Sequence, residues 1–235
     1  QCIEEEIPGY EPQCIEGWNE ASIIKGLNQR GIFSIWHMTH RDNIEGILAK
    51  GILSHTLAYK ETRPKDISDH EVQKWRESNE YIYGRSLHDY APTYINIKNP
   101  MLYVKRDIQR ELCIIEISLE VLKNNNFIFC DGNAASKNTE FYNLVEDLER
   151  LPWDVLNAVY WNDLYDGKRK RCAEVLINPL IEPKYISGIH CLTDETLKFI
   201  SKFNVRCKIT NEFFFDDEIS KSKSDCFFSD DDIPF

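Results

Sequence analysis

A chain of 235 residues with 42% hydrophobic residues, twelve Phe and eleven Tyr has the material for one large core. No apolar run approaches the roughly 20 residues of a membrane-spanning helix, and no secretory signal is visible after Gln1. The net charge of −11 would argue against nucleic acid if it were uniform, but residues 216–235 alone hold seven acids against two lysines, and Lys168-Arg169-Lys170-Arg171 form a basic run. The eight cysteines, at positions 2, 14, 113, 130, 172, 191, 207 and 226, include no Cys-x-x-Cys pair. That spacing removes the usual zinc framework and fits reduced thiols in a cytoplasmic protein, with no metal expected.

Along the chain, residues 1–18 are polar and acidic and show no period, and residues 19–30 predict a short helix closed by Gly31. Residues 33–38 predict a strand. Asp42-Asn43-Ile44-Glu45 predicts a capping box, followed by Ile44, Ile47 and Leu48 on one helical face and Gly51 as the stop. The polar span 59–80 predicts a helix with a loop, or a mobile flap. Residues 101–104 and 112–118 are rich in β-formers, 127–129 form a short apolar run, and 131–136 form a loop of small residues. Residues 139–150 show helical spacing at Phe141, Leu144, Val145 and Leu148. Residues 172–177 and 186–190 predict buried strands, 195–203 a helix, and 205–215 close the globular part. Without repeats or a regular βαβ alternation, the fold class is α+β. The domain reading is an N-terminal extension over 1–30, one globular domain over 31–215, and an acidic flexible tail over 216–235.

No Gly-rich nucleotide loop and no Walker sequence occurs. What stands out is polar residues set into strands and tight loops: Trp36-His37-Met38-Thr39, Leu87-His88-Asp89-Tyr90, residues 130–136, and Arg171-Cys172-Ala173-Glu174. Strand alternation puts Cys172, Glu174 and Leu176 on one face and Ala173, Val175 and Ile177 on the other. A carboxylate inside an apolar strand needs a partner or a task, and the residues alone leave a structural ion pair and a catalytic role both open. A histidine at a strand end is usually a satisfied structural residue and carries little weight by itself, and residues 168–171 suit either a solvated run or phosphate contacts.

Six segments taken in order, residues 35–47, 87–94, 99–103, 127–136, 152–161 and 168–177, resemble the DarT toxins, which transfer ADP-ribose from NAD onto bases of single-stranded DNA. The resemblance implies an ADP-ribosyltransferase fold with a split β core that grips NAD as co-substrate. It implies that Glu174 is the catalytic glutamate and that Arg76 contacts NAD and assists transfer. His37 and Thr39, with Asn43, Ile44 and Gly51, match the NAD-binding strand end and the helix after it. His88, Tyr90, Asn133, Lys168, Arg169, Lys170 and Arg171 fall to the DNA side. Two departures stand out: Asn133 occupies a place where some relatives carry a histidine, and Ala91-Pro92-Thr93 is less bulky than the pattern suggests. The resemblance favours thymidine as the acceptor and a macrodomain-type antitoxin as partner.

The last residues, Asp230-Asp231-Asp232-Ile233-Pro234-Phe235, follow Phe227-Phe228-Ser229 and resemble the C-terminal tail of bacterial single-stranded DNA-binding proteins. That resemblance implies a docking peptide, with Phe235 in an apolar pocket, its carboxylate on an arginine and the Asp run along a basic ridge. Other readings are transfer to RNA or protein, NAD hydrolysis, and a non-catalytic decoy for the docking pockets of replication proteins.

Overall fold

Apolar residues at every second position of the strands decide which face of the sheet closes the main core: Ile35, Ile115, Ile117, Phe127, Phe129, Val175 and Ile177 all point there. The computed structural model describes residues 20–61, 64–65, 67, 76–123 and 125–215. Its strands are β1 (Ser34–His40), β2 (Ile52–Leu53), β3 (Ala91–Tyr94), β4 (Leu112–Ser118), β5 (Asn126–Cys130), β6 (Phe141–Tyr142), β7 (Glu174–Asn178), β8 (Leu180–Ile181), β9 (Ile186–Cys191) and β10 (Cys207–Ile209). Eight of them form one sheet in the order β10-β9-β4-β1-β3-β7-β5-β6, while β2 and β8 pair separately. All neighbours in the large sheet are antiparallel except β9 and β10.

The helices are α1 (Glu20–Gln29), α2 (Ile44–Lys50), α3 (His55–Glu61), α4 (Pro100–Val104), α5 (Trp153–Leu156), α6 (Gly167–Arg171) and α7 (Asp194–Ser201). Ile23 and Leu27 of α1, four residues apart on one helical face, lie in the main core, so this stretch of the expected extension packs as part of the domain. Gly31, with φ 80°, follows the helix. The capping box expected at 42–45 does not form. Asn43 makes no side-chain cap bond, and a short 3₁₀ turn over Arg41–Asn43 precedes α2, with the His40 ring accepting from the Asp42 N–H. Residues 101–104 are helical rather than extended. The Asn99 side chain accepts from the Leu102 N–H and Pro100 occupies the first turn, and this cap overrides the β-forming composition. Residues 139–150 hold the short strand β6 and a 3₁₀ turn over Val145–Arg150.

The opposite face of the sheet carries two separate apolar clusters, one around Leu87, Tyr90, Ile128 and Leu176, the other around Ile97, Leu102, Leu112 and Ile114 with Trp36 and Tyr94. The sheet itself opens between β1 and β3, whose register reduces to the single pair Trp36↔Tyr94. The sequence supplies the cause. The Pro92 carbonyl points toward β1, where it accepts from the His37 ring, so its nitrogen points the same way and has no hydrogen to continue the ladder. On its other edge β3 stays fully paired with β7 from Ala91↔Ile177 to Tyr94↔Glu174.

Candidate active site

A cleft of about 720 Å³ occupies the opening between β1 and β3. His37, Met38 and Thr39 line one side, Tyr90, Pro92 and Tyr94 the other, and residues of α2, β2 and α3 close it above. Its volume lies within the range of small-molecule sites. His37 Nδ1 is 2.8 Å from the Pro92 carbonyl, which can only accept, so Nδ1 carries the hydrogen and Nε2 is left as an acceptor. Burial lowers the His37 pKa, more than the Pro92 hydrogen bond raises it, so the ring is neutral at physiological pH.

Arg76 lines the deep end of the cleft. Behind it Glu174, only 1% exposed, receives hydrogen bonds from Arg76 Nη2 at 2.8 Å to Oε1 and 2.6 Å to Oε2, and from the Ala134 N–H at 2.9 Å to Oε1. A buried carboxylate thus has its charge met by a guanidinium on one side and a backbone donor on the other. Burial is the largest single influence and disfavours the charged Arg76, but the charge and hydrogen bonds of Glu174, together with Tyr94 and Cys130, outweigh it, and the Arg76 pKa ends above its ordinary value. Tyr94, opposite Glu174 in the β3–β7 register, has its phenol pushed well up by burial and by that same carboxylate. Burial also raises the neighbouring thiols, Cys172 to about 12 and Cys130 further, so neither is a thiolate nucleophile at neutral pH. Among the described residues no group of His, Cys, Asp and Glu side chains could hold a metal ion.

The loop that presents Ala134 is built from within. Asn133 Oδ1 accepts from the Ala135 N–H at 3.0 Å, the Asn133 N–H donates to the Arg169 carbonyl at 3.0 Å, and Thr139 Oγ1 donates to the Asn133 carbonyl at 2.7 Å. Arg169 fastens the loop by donating to Asp131 at 2.8 Å and Thr139 at 3.0 Å. Gly132 lies so close to Arg169 that a Cβ would collide with it.

A family model described as "ssDNA thymidine ADP-ribosyltransferase, DarT" matches residues 36–230. The chain belongs to the DarT family. It is 31% identical over 174 residues to a DNA ADP-ribosyl transferase–DNA ADP-ribosyl glycohydrolase fusion protein of Thermosipho africanus, covering 72% of this chain and 45% of that relative. It is 30% identical over 186 residues to a DNA ADP-ribosyl transferase of Thermus sp., covering 72% of this chain and 88% of the relative. The structure of Thermosipho africanus DarTG in complex with ADP-ribose aligns at a TM-score of 0.69 and 30% identity, over 78% of this chain and 51% of that one. Thermus sp. 2.9 DarT in complex with ADP-ribosylated ssDNA shares the fold at a TM-score of 0.67 and 24% identity, over 79% of this chain and 97% of that one. The chain spans about half the length of the Thermosipho africanus proteins it matches. The family match continues past Phe215, beyond the expected domain boundary, into residues 216–235, which lie outside the described residues together with the peptide Asp230 to Phe235.

In this DarT-family chain the expected NAD-side residues divide into those that face the cleft and those that hold its walls. His37, Thr39, Asn43, Gly51 and Arg76 line it. Thr39 Oγ1 accepts from Asn43 Nδ2 at 3.1 Å, and Asn43 clasps Lys65 by bonding both its carbonyl at 2.9 Å and its N–H at 2.8 Å. Ile44 does not line the cleft: its side chain is fully buried in the main core, the expected outcome for an isoleucine on the inner face of α2. Gly51, at φ 92°, lies hard against the Ile181 carbonyl, which leaves no room for a side chain.

The expected DNA-side residues divide in the same way. The His88 ring lines the cleft, stacked on His55 at 4.2 Å. The Tyr90 ring also borders the cleft, but its hydroxyl donates to the buried carboxylate of Glu80 at 2.9 Å. Of the basic run, Arg171 is buried and donates to the carbonyls of Lys98, Val155, Leu156 and Ala158, while Arg169 is committed to Asp131 and Asp166. Arg169 and Arg171 are therefore scaffold residues rather than phosphate contacts. Lys168 and Lys170 are half-buried on α6. Residues passed over in the sequence are His55 and Tyr59, which extend the His88 stack, and Lys65 and Lys105, which bring positive charge to the cleft. A single signal was present for them, an aromatic and a histidine four residues apart on α3.

Proposed function

We propose that the chain is an NAD-dependent transferase that attaches ADP-ribose to thymidine in single-stranded DNA and acts as a toxin. The observation that carries the reading is the buried Glu174 carboxylate held by Arg76, which lines the cleft between β1 and β3. The donor set there fits NAD. Lys65, Lys105 and Arg76 suit a pyrophosphate, the His55–His88–Tyr59 stack suits a planar ring, and neutral His37 Nε2 suits a ribose hydroxyl.

In this reaction the bond from the ribose C1′ to the nicotinamide nitrogen breaks, and nicotinamide leaves with the electron pair. Glu174 stabilises the positive charge that develops on the ribose, a charge absent from the ground state, so its effect falls on the barrier. The thymine ring nitrogen bonds to C1′ and its proton passes to Glu174 as general base. Arg76 holds that carboxylate in place and orients the phosphates. A single strand is required because a duplex hides the pairing edge of the base.

The cellular setting we propose is the cytoplasm, with a macrodomain-type hydrolase as antitoxin and with residues 230–235 docking on proteins that read the tail of single-stranded DNA-binding protein. Support for the antitoxin comes from the Thermosipho africanus relative, a transferase fused to a DNA ADP-ribosyl glycohydrolase. Among the described residues no helix is long and apolar enough to cross a membrane. Incubation with NAD and a thymidine-containing oligonucleotide, read by intact mass, is expected to add one ADP-ribose on a single strand and none on a duplex. Glu174→Ala is expected to lower the rate by at least about 100-fold. NAD consumed with no mass gain would move the reading to another acceptor or to hydrolysis, and full activity in Glu174→Ala would end the mechanism. Removal of residues 216–235 is expected to leave oligonucleotide activity intact while lowering toxicity in cells; raised activity in vitro would point instead to a tail that blocks the DNA groove.

A further inference from the structure

Val159, Tyr160 and Tyr165 are 81%, 66% and 90% exposed, three large apolar side chains in one short loop outside the cleft. Folding gives no account of Tyr165, which buries almost none of its ring. The loop beneath it is nevertheless fixed. Trp161 is buried, Gly167 is pressed so tightly on the Trp161 carbonyl that a Cβ would collide, and Arg171 Nη1 holds the Ala158 carbonyl at 3.0 Å. Asp166, in the left-handed region at φ 55°, accepts from Arg169 Nε at 2.6 Å. Aromatic rings held out on a rigid support lose little entropy when a flat ligand stacks on them.

Charge narrows the ligand. Arg169 is shared between Asp131 and Asp166 and leaves one of their two negative charges over, and Arg171 is buried, so Lys168 and Lys170 are the cations this surface presents, beside that residual charge and the exposed Asp163. Lys170 Nζ stands 5.2 Å from the centroid of the Tyr165 ring. The surface also adjoins the reaction centre, since the Arg169 carbonyl on α6 accepts from Asn133 and the next residue, Ala134, donates to Glu174. Within the loop, Asn162 Oδ1 is buried with no hydrogen-bond partner, the one such side-chain atom among the described residues. We infer that Tyr160, Tyr165 and Lys170 form a stacking platform for the nucleotides that flank the modified base, a proposal that rests on the transferase reading above. Bases stack on the two rings whatever their identity, and Lys170 meets a backbone phosphate.

The test is fluorescence anisotropy with labelled oligothymidylates of about four and about fifteen nucleotides, alongside transfer read by intact mass. The wild type is expected to bind the longer strand more tightly. Tyr165→Ala is expected to weaken the longer strand by roughly 10-fold and leave the short one unchanged, with Tyr165→Trp restoring the wild-type value. Equal affinity of wild type and Tyr165→Ala for the longer strand overturns the platform, whether or not transfer occurs. Affinity that depends on Tyr165 without any transfer by the wild type supports the platform and overturns the transferase reading alone.

Discussion

Arg76 and Glu174 compensate each other's burial, and that mutual dependence can be measured apart from catalysis. Removing one partner leaves an unpaired charge in a dry site, so Arg76→Met alone is expected to cost about 3–5 kcal/mol of stability. The double variant Arg76→Met/Glu174→Leu is expected to recover most of that loss while remaining inactive, as chemical denaturation of the wild type and the two variants would show. His37 gives a pH prediction. Burial sets its pKa below the ordinary 6.5, so Nε2 stays an acceptor down to that lowered value. The KM for NAD is expected to be flat above pH 6.5 and to rise only as the pH falls through the lowered pKa, with His37→Gln removing the acid limb. The sign for stability agrees: a base whose folded pKa is depressed contributes stability above its unfolded pKa and loses it as pH falls through the folded one.

At the scale of elements, α6 is held to the domain by Arg171, a buried cation with no carboxylate partner among the described residues, which spends its hydrogen bonds on four carbonyls. Burial pulls its pKa down to about 10, and it stays charged at neutral pH. Lysine cannot reproduce a planar fork of donors, so Arg171→Lys is expected to destabilise by about 2–4 kcal/mol in a denaturation series. Gly51→Ala places a methyl on the Ile181 carbonyl at a positive φ and is expected to cost more than about 2 kcal/mol, read as a fall in Tm. These two positions show what a sequence discloses. Gly51 was legible as a helix stop, because a glycine after an amphipathic run has a local cause. The strands β4, β7 and β9 were legible as apolar runs rich in β-formers, and in β7 the alternation sets the face of Glu174 directly. Arg171 was not legible, because a basic side chain looks the same whether it ends in water or in a cage of carbonyls contributed by Lys98, Val155, Leu156 and Ala158. Residues 101–104 misled through composition, where one cap at Asn99 decided the outcome. The opening of the sheet was written in Pro92, but only the neighbouring His37 reveals which edge lacks the donor.

For the whole molecule, a net charge of −11 sets a limit on how DNA is held. With Arg169 and Arg171 committed internally, few cations remain for phosphates on the α6 side. Affinity for a single strand is therefore expected to fall with salt at a log–log slope of roughly −1 to −2, as about two contacts would give. A slope steeper than roughly −5 would mean a basic track elsewhere. The order of strands has a consequence for synthesis. Strands β1, β3 and β4 on one side and β5 and β6 on the other meet only through β7, which enters the sheet between β3 and β5 and carries Glu174 at its start. Until residues 174–178 leave the ribosome, the nascent chain has no strand to join these two groups and no Glu174. The strand that joins the two groups is also the one that brings Glu174, so a chain cut short before residue 174 has neither the joined sheet nor the carboxylate on which the proposed reaction depends.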